Sequence, residues 1–140
     1  MIKVVAALIR KNNKILLTQR LKGELANLWE FPGGKIEDNE TPFEAIVREI
    51  NEELRIDVTP VVKIHTFYHR YPFAEIELIL IKCRVRSRNS KVMLDSHHAQ
   101  IAWVDISDPL PILAPLDQKV FSYLIKKKTK KRDALKLFPL

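Results

Sequence analysis

The segment that most constrains the fold is a predicted amphipathic helix that begins after Thr41. Thr41, Pro42 and Glu44 form a capping-box pattern with proline at the first helical position. Apolar residues then recur at helical spacing until Leu54 or Arg55, where we expect the helix to end. They are Phe43, Ile46, Val47, Ile50 and Leu54. Because they share an arc of about 100°, one face of the helix must be buried against another layer.

Runs rich in β-forming residues predict that this layer is a sheet. Val4–Arg10 and Lys14–Arg20 flank a polar turn and predict a hairpin. Ile56–His69 and Phe73–Arg86 predict two more strands, of which the second is apolar on both faces, as in a central strand. The remaining segments are predicted as a polar connection at 21–28, a short apolar segment at 29–31, a polar loop at 87–100, a strand at 101–104 and an amphipathic helix from Leu116 to about Ile125. Mixed strands with two helices predict an α/β sandwich.

Three carboxylates occupy a neighbouring arc of the first helix. Glu49, Glu52 and Glu53 stand at spacings i, i+3 and i+4, and their mutual repulsion costs about 0.2–0.5 kcal/mol per pair. A hard divalent cation such as Mg²⁺ favours this arrangement, because it takes oxygen ligands and shares them with substrate phosphates. The alternative is a solvated acidic face whose charge is offset by Arg48 and Arg55.

Two of the three glycines in the chain stand together at Gly33 and Gly34. This pair indicates either a tight turn or a close approach of the backbone to a ligand. From Gly34 onward, the spacing of several residues resembles the Nudix box. They are Gly34, Glu40, Arg48, Glu49, Glu52 and Glu53. One position departs from the family pattern, because Arg55 stands where the family has a glycine that ends the helix.

The resemblance extends more weakly from the first strand to about Ile125. The segment Leu28–Lys35 is similar to MutT-like members of the family, which hydrolyse nucleoside triphosphates. The resemblance implies the Nudix fold in a domain of residues 1–125, with an α/β/α sandwich, a central mixed sheet and a loop–helix–loop. Residues 126–140 form a basic C-terminal tail outside it.

The resemblance also implies a metal site and a set of catalytic residues, which are Arg48, Glu49, Glu52, Glu53 and His97. Its metal ligands would be Glu49, Glu52, Glu53 and the backbone carbonyl of Gly34. The expected cofactor is Mg²⁺, with Mn²⁺ as an alternative, and the ion would neutralise phosphate oxygens and lower the pKa of an attacking water. Arg48 would hold a glutamate of the box in place, and Glu40 would support the loop.

Three residues resemble substrate-binding positions of MutT-like enzymes. Arg20 matches an arginine that touches substrate phosphate, and its alternative is an ordinary charge at the end of a strand. Lys35 is a second candidate for phosphate. Phe31 matches a residue that packs beside the base, and its alternative is a plain core residue.

The sequence departs from MutT where relatives hold the base or activate water. His97, next to His98, stands where many relatives place a glutamate that serves as base or extra ligand. A neutral imidazole can accept a proton near pH 7, and a solvated pair of loop histidines is the alternative.

Ala74 and Ala114 replace the residues with which MutT reads 8-oxoguanine. The run ending at Asp117 resembles the CTP-pyrophosphohydrolase subgroup, which predicts Asp117 as a base reader or, alternatively, as an acid favoured by the helix dipole.

Composition limits the partners and the compartment. The net charge of +7 is concentrated after Ile125, which favours a solvated tail over a nucleic-acid-binding arm at Lys126–Arg132. No apolar run reaches the roughly 20 residues of a membrane span. Cys83 is the single cysteine, which excludes an internal disulfide and favours a reducing, cytoplasmic location.

These features together predict a Mg²⁺-dependent pyrophosphohydrolase that converts a nucleoside or deoxynucleoside triphosphate to the monophosphate and pyrophosphate. Its partner is a small-molecule nucleotide, and it acts in nucleotide-pool cleansing or pyrimidine turnover. The alternatives are a Nudix hydrolase of another nucleoside diphosphate derivative and a module that binds nucleotides without turnover. Both a monomer and a homodimer are compatible with the sequence.

Overall fold

The computed structural model describes residues 1–86 and 91–130. Its strands are β1 (Ile2–Lys11), β2 (Lys14–Arg20), β3 (Trp29–Glu30), β4 (Gly33–Lys35), β5 (Val58–Tyr71), β6 (Ala74–Val85) and β7 (His98–Asp105). Its helices are α1 (Pro42–Leu54) and α2 (Pro115–Lys130). Within the described ranges, neither helix is long and apolar enough to cross a membrane.

The strands form one mixed sheet with β1 near its centre. β1 runs parallel to β6 from the pair Ile2–Ile76 to the pair Ile9–Cys83, and antiparallel to β2 and β4. The main order is β3-β2-β1-β6-β5, while β4 pairs with β1 and β7 pairs with β2. The predicted central position of the apolar run around Leu80 is confirmed, because β6 lies between β1 and β5.

Alternation along β1 divides the core between the two faces of the sheet. Val5, Ala7 and Ile9 pack on the side of α1, in one cluster with Ile46, Ile50 and Leu54. Ala6 and Leu8 face the other side and share a cluster with Val120, Phe121 and Leu124 of α2. A sheet with one helix on each face is the predicted α/β/α sandwich.

Helix α1 begins as predicted. The Thr41 hydroxyl accepts the Glu44 N–H at 3.1 Å, and the Glu44 carboxylate accepts the Thr41 N–H at 2.9 Å. At the other end, Arg55 adopts the left-handed conformation that glycine usually supplies, with φ 56° and ψ 33°. The predicted buried face needs one correction, because Phe43 in the first turn is 40% exposed.

Most bounds differ from the predicted ones by one or two residues, and three features differ more. β7 begins at His98 rather than Ile101, because its pairing with β2 continues to the pair Arg20–His98. Gly33 and Gly34 lie in a short strand, not in a turn, and neither has a positive φ. α2 continues to Lys130, so the helix crosses the predicted boundary between the domain and the tail. Residues 87–90 of the predicted loop and 131–140 of the tail lie outside the described ranges.

Candidate active site

A cavity of about 860 Å³ opens beside α1 and β4. This volume falls in the range of typical ligand sites. The predicted site residues on its wall are Arg20, Gly34, Lys35, Arg48, Glu49, Glu52, Glu53 and His97. The fold therefore gathers residues from β2, β4, α1 and the loop before β7 around one space.

Arg48 lies at the centre of an ion-pair network on the wall of this cavity. Its Nε and Nη2 donate to the Glu40 carboxylate at 2.7 and 2.8 Å, and Nη2 also donates to the Lys35 carbonyl oxygen at 2.9 Å. Its Nη1 donates to Glu49 at 2.9 Å and to Glu52 at 3.2 Å. These hydrogen bonds lower the pKa of Glu40 to about 2 and raise the pKa of Arg48. Arg48 thus pairs with glutamates of the box, as the resemblance implied.

Two carboxylates lie close to the backbone of β4, and Gly34 makes room for one of them. A Cβ on Gly34 would overlap the Glu49 carboxylate, whose farther oxygen would lie 2.7 Å away. The Glu53 side chain is buried, and its Oε2 accepts the Gly33 N–H at 3.2 Å. Burial raises the pKa of Glu49, and it raises the pKa of Glu53 well above its usual range. Both carboxylates would therefore gain from a cation in the cavity.

These carboxylates have the chemistry of a magnesium ligand set, although their side chains are not arranged around one point. Across residues 1–86 and 91–130, no three His, Cys, Asp or Glu side chains converge closely enough to hold a metal ion. Glu52 is 58% exposed and pairs with Arg48, and Glu49 shares the same guanidinium. The oxygen donors would suit Mg²⁺ if Glu49 and Glu52 exchanged these ion pairs for the cation.

A buried histidine adds a positive charge to the cavity. The His98 side chain is 4% exposed, with Nδ1 2.8 Å from Asp95 Oδ1 and Nε2 3.3 Å from Glu30 Oε1. Burial alone would lower the pKa of His98, but the hydrogen bonds with Glu30 and Asp95 outweigh it and raise the pKa to about 9. The Asp95 N–H also donates to the Glu53 carbonyl oxygen at 2.9 Å, which ties this loop to α1.

Comparison with known sequences decides the family. The NUDIX domain family matches residues 1–124. The chain belongs to the Nudix family. It is 48% identical over 69 residues to the 8-oxo-dGTP diphosphatase of Proteus vulgaris, across 49% of this chain and 62% of that protein. It is 53% identical over 60 residues to the CTP pyrophosphohydrolase of Escherichia coli (strain K12), across 42% of this chain and 44% of that protein. These matches span about half the length of the two curated relatives.

Solved structures share the fold over nearly the whole chain. The solution structure of the E. coli ORF135 protein aligns with a TM-score of 0.78 and 32% identity, over 94% of this chain and 93% of that chain. The crystal structure of the MutT protein from Methanosarcina mazei Go1 aligns with a TM-score of 0.77 and 26% identity, over 93% of this chain and 96% of that chain. The predicted Nudix fold is thus confirmed.

Three of the predicted Nudix site residues outside the box lie on the cavity wall. Arg20 Nη1 is 3.3 Å from Glu30 Oε1, and Lys35 lines the cavity at the end of β4. The His97 side chain is 70% exposed, and its Nδ1 lies 3.6 Å from Asp95 Oδ2. The interpretation of His97 and His98 as a solvated pair is wrong for His98, because pairing with β2 turns that side chain into the protein.

Phe31 and Asp117 lie elsewhere in the Nudix domain. Phe31 is 3% exposed, and its ring centroid is 5.0 Å from that of Phe121 in the core beneath α2. Asp117 is 5% exposed, and its Oδ1 accepts the Phe31 N–H at 2.8 Å. Burial raises the pKa of Asp117 well above its usual range. Neither side chain is on the cavity wall in this structure.

Sequence reasoning missed Glu30, Asp95 and His98. Glu30 had one available signal, since it lies inside the segment Leu28–Lys35 that resembles MutT-like proteins. Asp95 and His98 are brought to Glu30 by the pairing of β7 and β3 with β2. The spacing of residues along the sequence does not predict a contact between such distant segments.

Proposed function

We propose that this Nudix protein is a Mg²⁺-dependent pyrophosphohydrolase, which converts a nucleoside triphosphate and water to the monophosphate and pyrophosphate. The observation that carries the proposal is that the carboxylates of the box share one cavity with the cations Arg20 and Lys35. The relatives support it, because they are named as an 8-oxo-dGTP diphosphatase and a CTP pyrophosphohydrolase.

Each part of the site has a distinct task in this reaction. Glu49, Glu52, Glu53 and the Gly34 carbonyl would hold the magnesium. When bound, the metal neutralises phosphate oxygens and lowers the pKa of the attacking water. Arg48 lies on α1 and holds the connection between β4 and α1 in place through its bonds to the Glu40 carboxylate and the Lys35 carbonyl oxygen. Arg20 and Lys35 bind and orient the phosphate chain, since both line the cavity.

Pyrophosphate release is the test of this proposal. Wild type and Glu53→Gln are assayed with Mg²⁺ on common nucleotides, 8-oxo-dGTP, CTP, 5-methyl-dCTP and dUTP. Glu53→Gln should lose activity about 100-fold or more, because even the partners behind metal ligands contribute about 10–100-fold. Its Mn²⁺ affinity, measured by electron paramagnetic resonance, should fall as well. Glu75→Gln is the matched control, since Glu75 pairs with Arg70 away from this cavity.

The outcome against the proposal is equally concrete. If wild type binds these nucleotides in the presence of Mg²⁺ and releases no product from any of them, the chain is a nucleotide-binding module. We also propose that the domain of residues 1–125 carries the activity and that the tail is dispensable. Residues 126–130 belong to α2, so a chain truncated after Lys130 removes only the part of the tail beyond this helix, and it should keep wild-type rates in the same assay.

A further inference from the structure

A series of polar contacts connects Arg20 to α1 beside the cavity. Arg20 Nη1 and His98 Nε2 each lie 3.3 Å from the same atom, Glu30 Oε1. The other ring nitrogen of His98 lies 2.8 Å from Asp95 Oδ1. The Asp95 N–H in turn donates to the Glu53 carbonyl oxygen at 2.9 Å. The helix that carries the carboxylates of the box is therefore linked to a cation that we propose to bind phosphate.

Burial increases along this series from the arginine to the histidine. The Arg20 side chain is 40% exposed, the Glu30 side chain is 17% exposed and the His98 side chain is 4% exposed. A single ion pair at a half-exposed position constrains a long side chain only weakly. The buried imidazole is held at both ends, because each ring nitrogen faces a carboxylate oxygen that only accepts hydrogen bonds. The most constrained group of the series is therefore His98.

The pairing of three strands brings these side chains together. β2 lies between β3 and β7, with Thr18 paired to Glu30 on one side and to Ile101 on the other. The pairing of β2 with β7 ends at the pair Arg20–His98. The Glu30 and His98 side chains thus come from the two neighbours of β2 and meet beside Arg20.

We propose that His98 is a positioning residue, which fixes the Glu30 carboxylate and through it holds Arg20 against the phosphates of the substrate. The inference rests on the proposed function, since it concerns how a cation of that site is held. A triphosphate bound by the box must also meet Arg20, so the separation of this arginine from α1 affects the rate. The link from His98 through Asp95 to the backbone of α1 sets that separation.

Two substitutions separate the two hydrogen bonds of His98. The amide nitrogen of asparagine stands near the position of Nδ1, so His98→Asn can keep the bond to Asp95 and loses the bond to Glu30. The amide nitrogen of glutamine reaches the position of Nε2, so His98→Gln can keep the bond to Glu30. We expect His98→Asn to raise KM for dGTP and dCTP by about 10-fold with little change in kcat, because phosphate binding is weakened. His98→Gln should raise KM much less.

A histidine with only a structural role would not produce this difference. Both substitutions remove the buried imidazole, so Tm should fall in both variants. The affinity for Mn²⁺, measured by electron paramagnetic resonance, should stay at the wild-type value in both, since Asp95 keeps its backbone bond to Glu53. His65→Gln is the matched control, because His65 stacks on a ring of α2 and is not on the cavity wall.

A double-mutant cycle tests whether His98 acts through the arginine. In an Arg20→Ala background, His98→Asn should change KM by less than about 2-fold, because the group that it positions is gone. An undiminished effect in that background would overturn the inference. A KM that is the same in His98→Asn and His98→Gln would overturn it as well.

Calorimetric binding of the α,β-methylene analogue of dGTP in the presence of Mg²⁺ separates this inference from the proposed function. Weaker binding by His98→Asn than by His98→Gln, in a protein without turnover, would refute the hydrolase and uphold the role of His98. Turnover by wild type with equal binding by the two variants would uphold the hydrolase and refute the role of His98.

Discussion

The adjacent glycines of β4 allow one chemical change to be made at two positions with opposite expected results. A Cβ on Gly33 would overlap the Val5 carbonyl oxygen and lie 2.8 Å from the Ala6 Cα, both in the backbone of β1. A Cβ on Gly34 would overlap the carboxylate of Glu49, which is the end of a flexible side chain. Gly33→Ala is therefore predicted to damage stability, and Gly34→Ala is predicted to damage the site.

The expected cost at Gly33 follows from what must move. A backbone carbonyl cannot turn aside, so β4 must separate from β1 and lose the pairing of Val4–Ala6 with Gly33–Lys35. Overpacking of this kind costs about 3 kcal/mol or more. In a chain of 140 residues, a loss of that size lowers Tm by about 10 °C.

Gly34→Ala should lower Tm less than Gly33→Ala does, and it should lower metal affinity and activity. Glu49 can swing away at a cost below about 1 kcal/mol, so Tm should change by a few degrees only. Displacing its carboxylate by roughly 1 Å removes a proposed metal ligand, and we expect Mn²⁺ affinity and pyrophosphate release to fall about 10–100-fold. Differential scanning calorimetry and electron paramagnetic resonance of bound Mn²⁺ measure the two effects separately. Full Mn²⁺ affinity in Gly34→Ala would refute the assignment of Glu49, and an unchanged Tm in Gly33→Ala would refute the contact with β1.

Two further predictions concern stability. Arg55→Gly should raise the free energy of unfolding by about 1 kcal/mol, because glycine adopts the left-handed conformation at φ 56° without the Cβ penalty; urea denaturation measures it, and an equal gain from Arg55→Ala would contradict the backbone explanation. His98 has a pKa raised from 6.5 to about 9, so its stabilising charge is fully present below pH 6.5 and is lost as pH rises through 9. Between pH 6.5 and 10, the free energy of unfolding should therefore fall by up to about 3 kcal/mol more in wild type than in His98→Gln. If the free energy of unfolding depends on pH in the same way in both proteins, this prediction is wrong.

Features that depend on the spacing of nearby residues could be predicted from the sequence. The buried stripe at Ile46, Ile50 and Leu54 and the neighbouring carboxylate face of α1 follow from a 3.6-residue period, and the capping box follows from Thr41 and Glu44. The central position of β6 was predictable because a strand with two buried faces has apolar residues in succession. The end of α1 near Arg55 was predictable from the sequence. The left-handed backbone conformation of this arginine was not.

The rest of the site depends on contacts between distant segments. Asp117 and Phe31 are 86 positions apart, and the hydrogen bond between the Asp117 carboxylate and the Phe31 N–H is buried. His98 and Glu30 are 68 positions apart and meet through the pairing of their strands with β2. The requirement for glycine at position 33 could not be predicted either, because the atoms that leave no room for a Cβ there belong to β1.

The Arg48 network explains how the box can hold its carboxylates together before any cation arrives. The repulsion between Glu49, Glu52 and Glu53 opposes their common arc on α1, and one guanidinium offsets it by bonding to the first two. The same guanidinium is fixed independently by the Glu40 carboxylate and the Lys35 carbonyl. If Glu49 and Glu52 ligate a metal as proposed, the bonds of Arg48 to Glu40 and to the Lys35 carbonyl would hold the guanidinium in place. The two glutamates would then exchange one positive partner for another without disturbing the junction between β4 and α1.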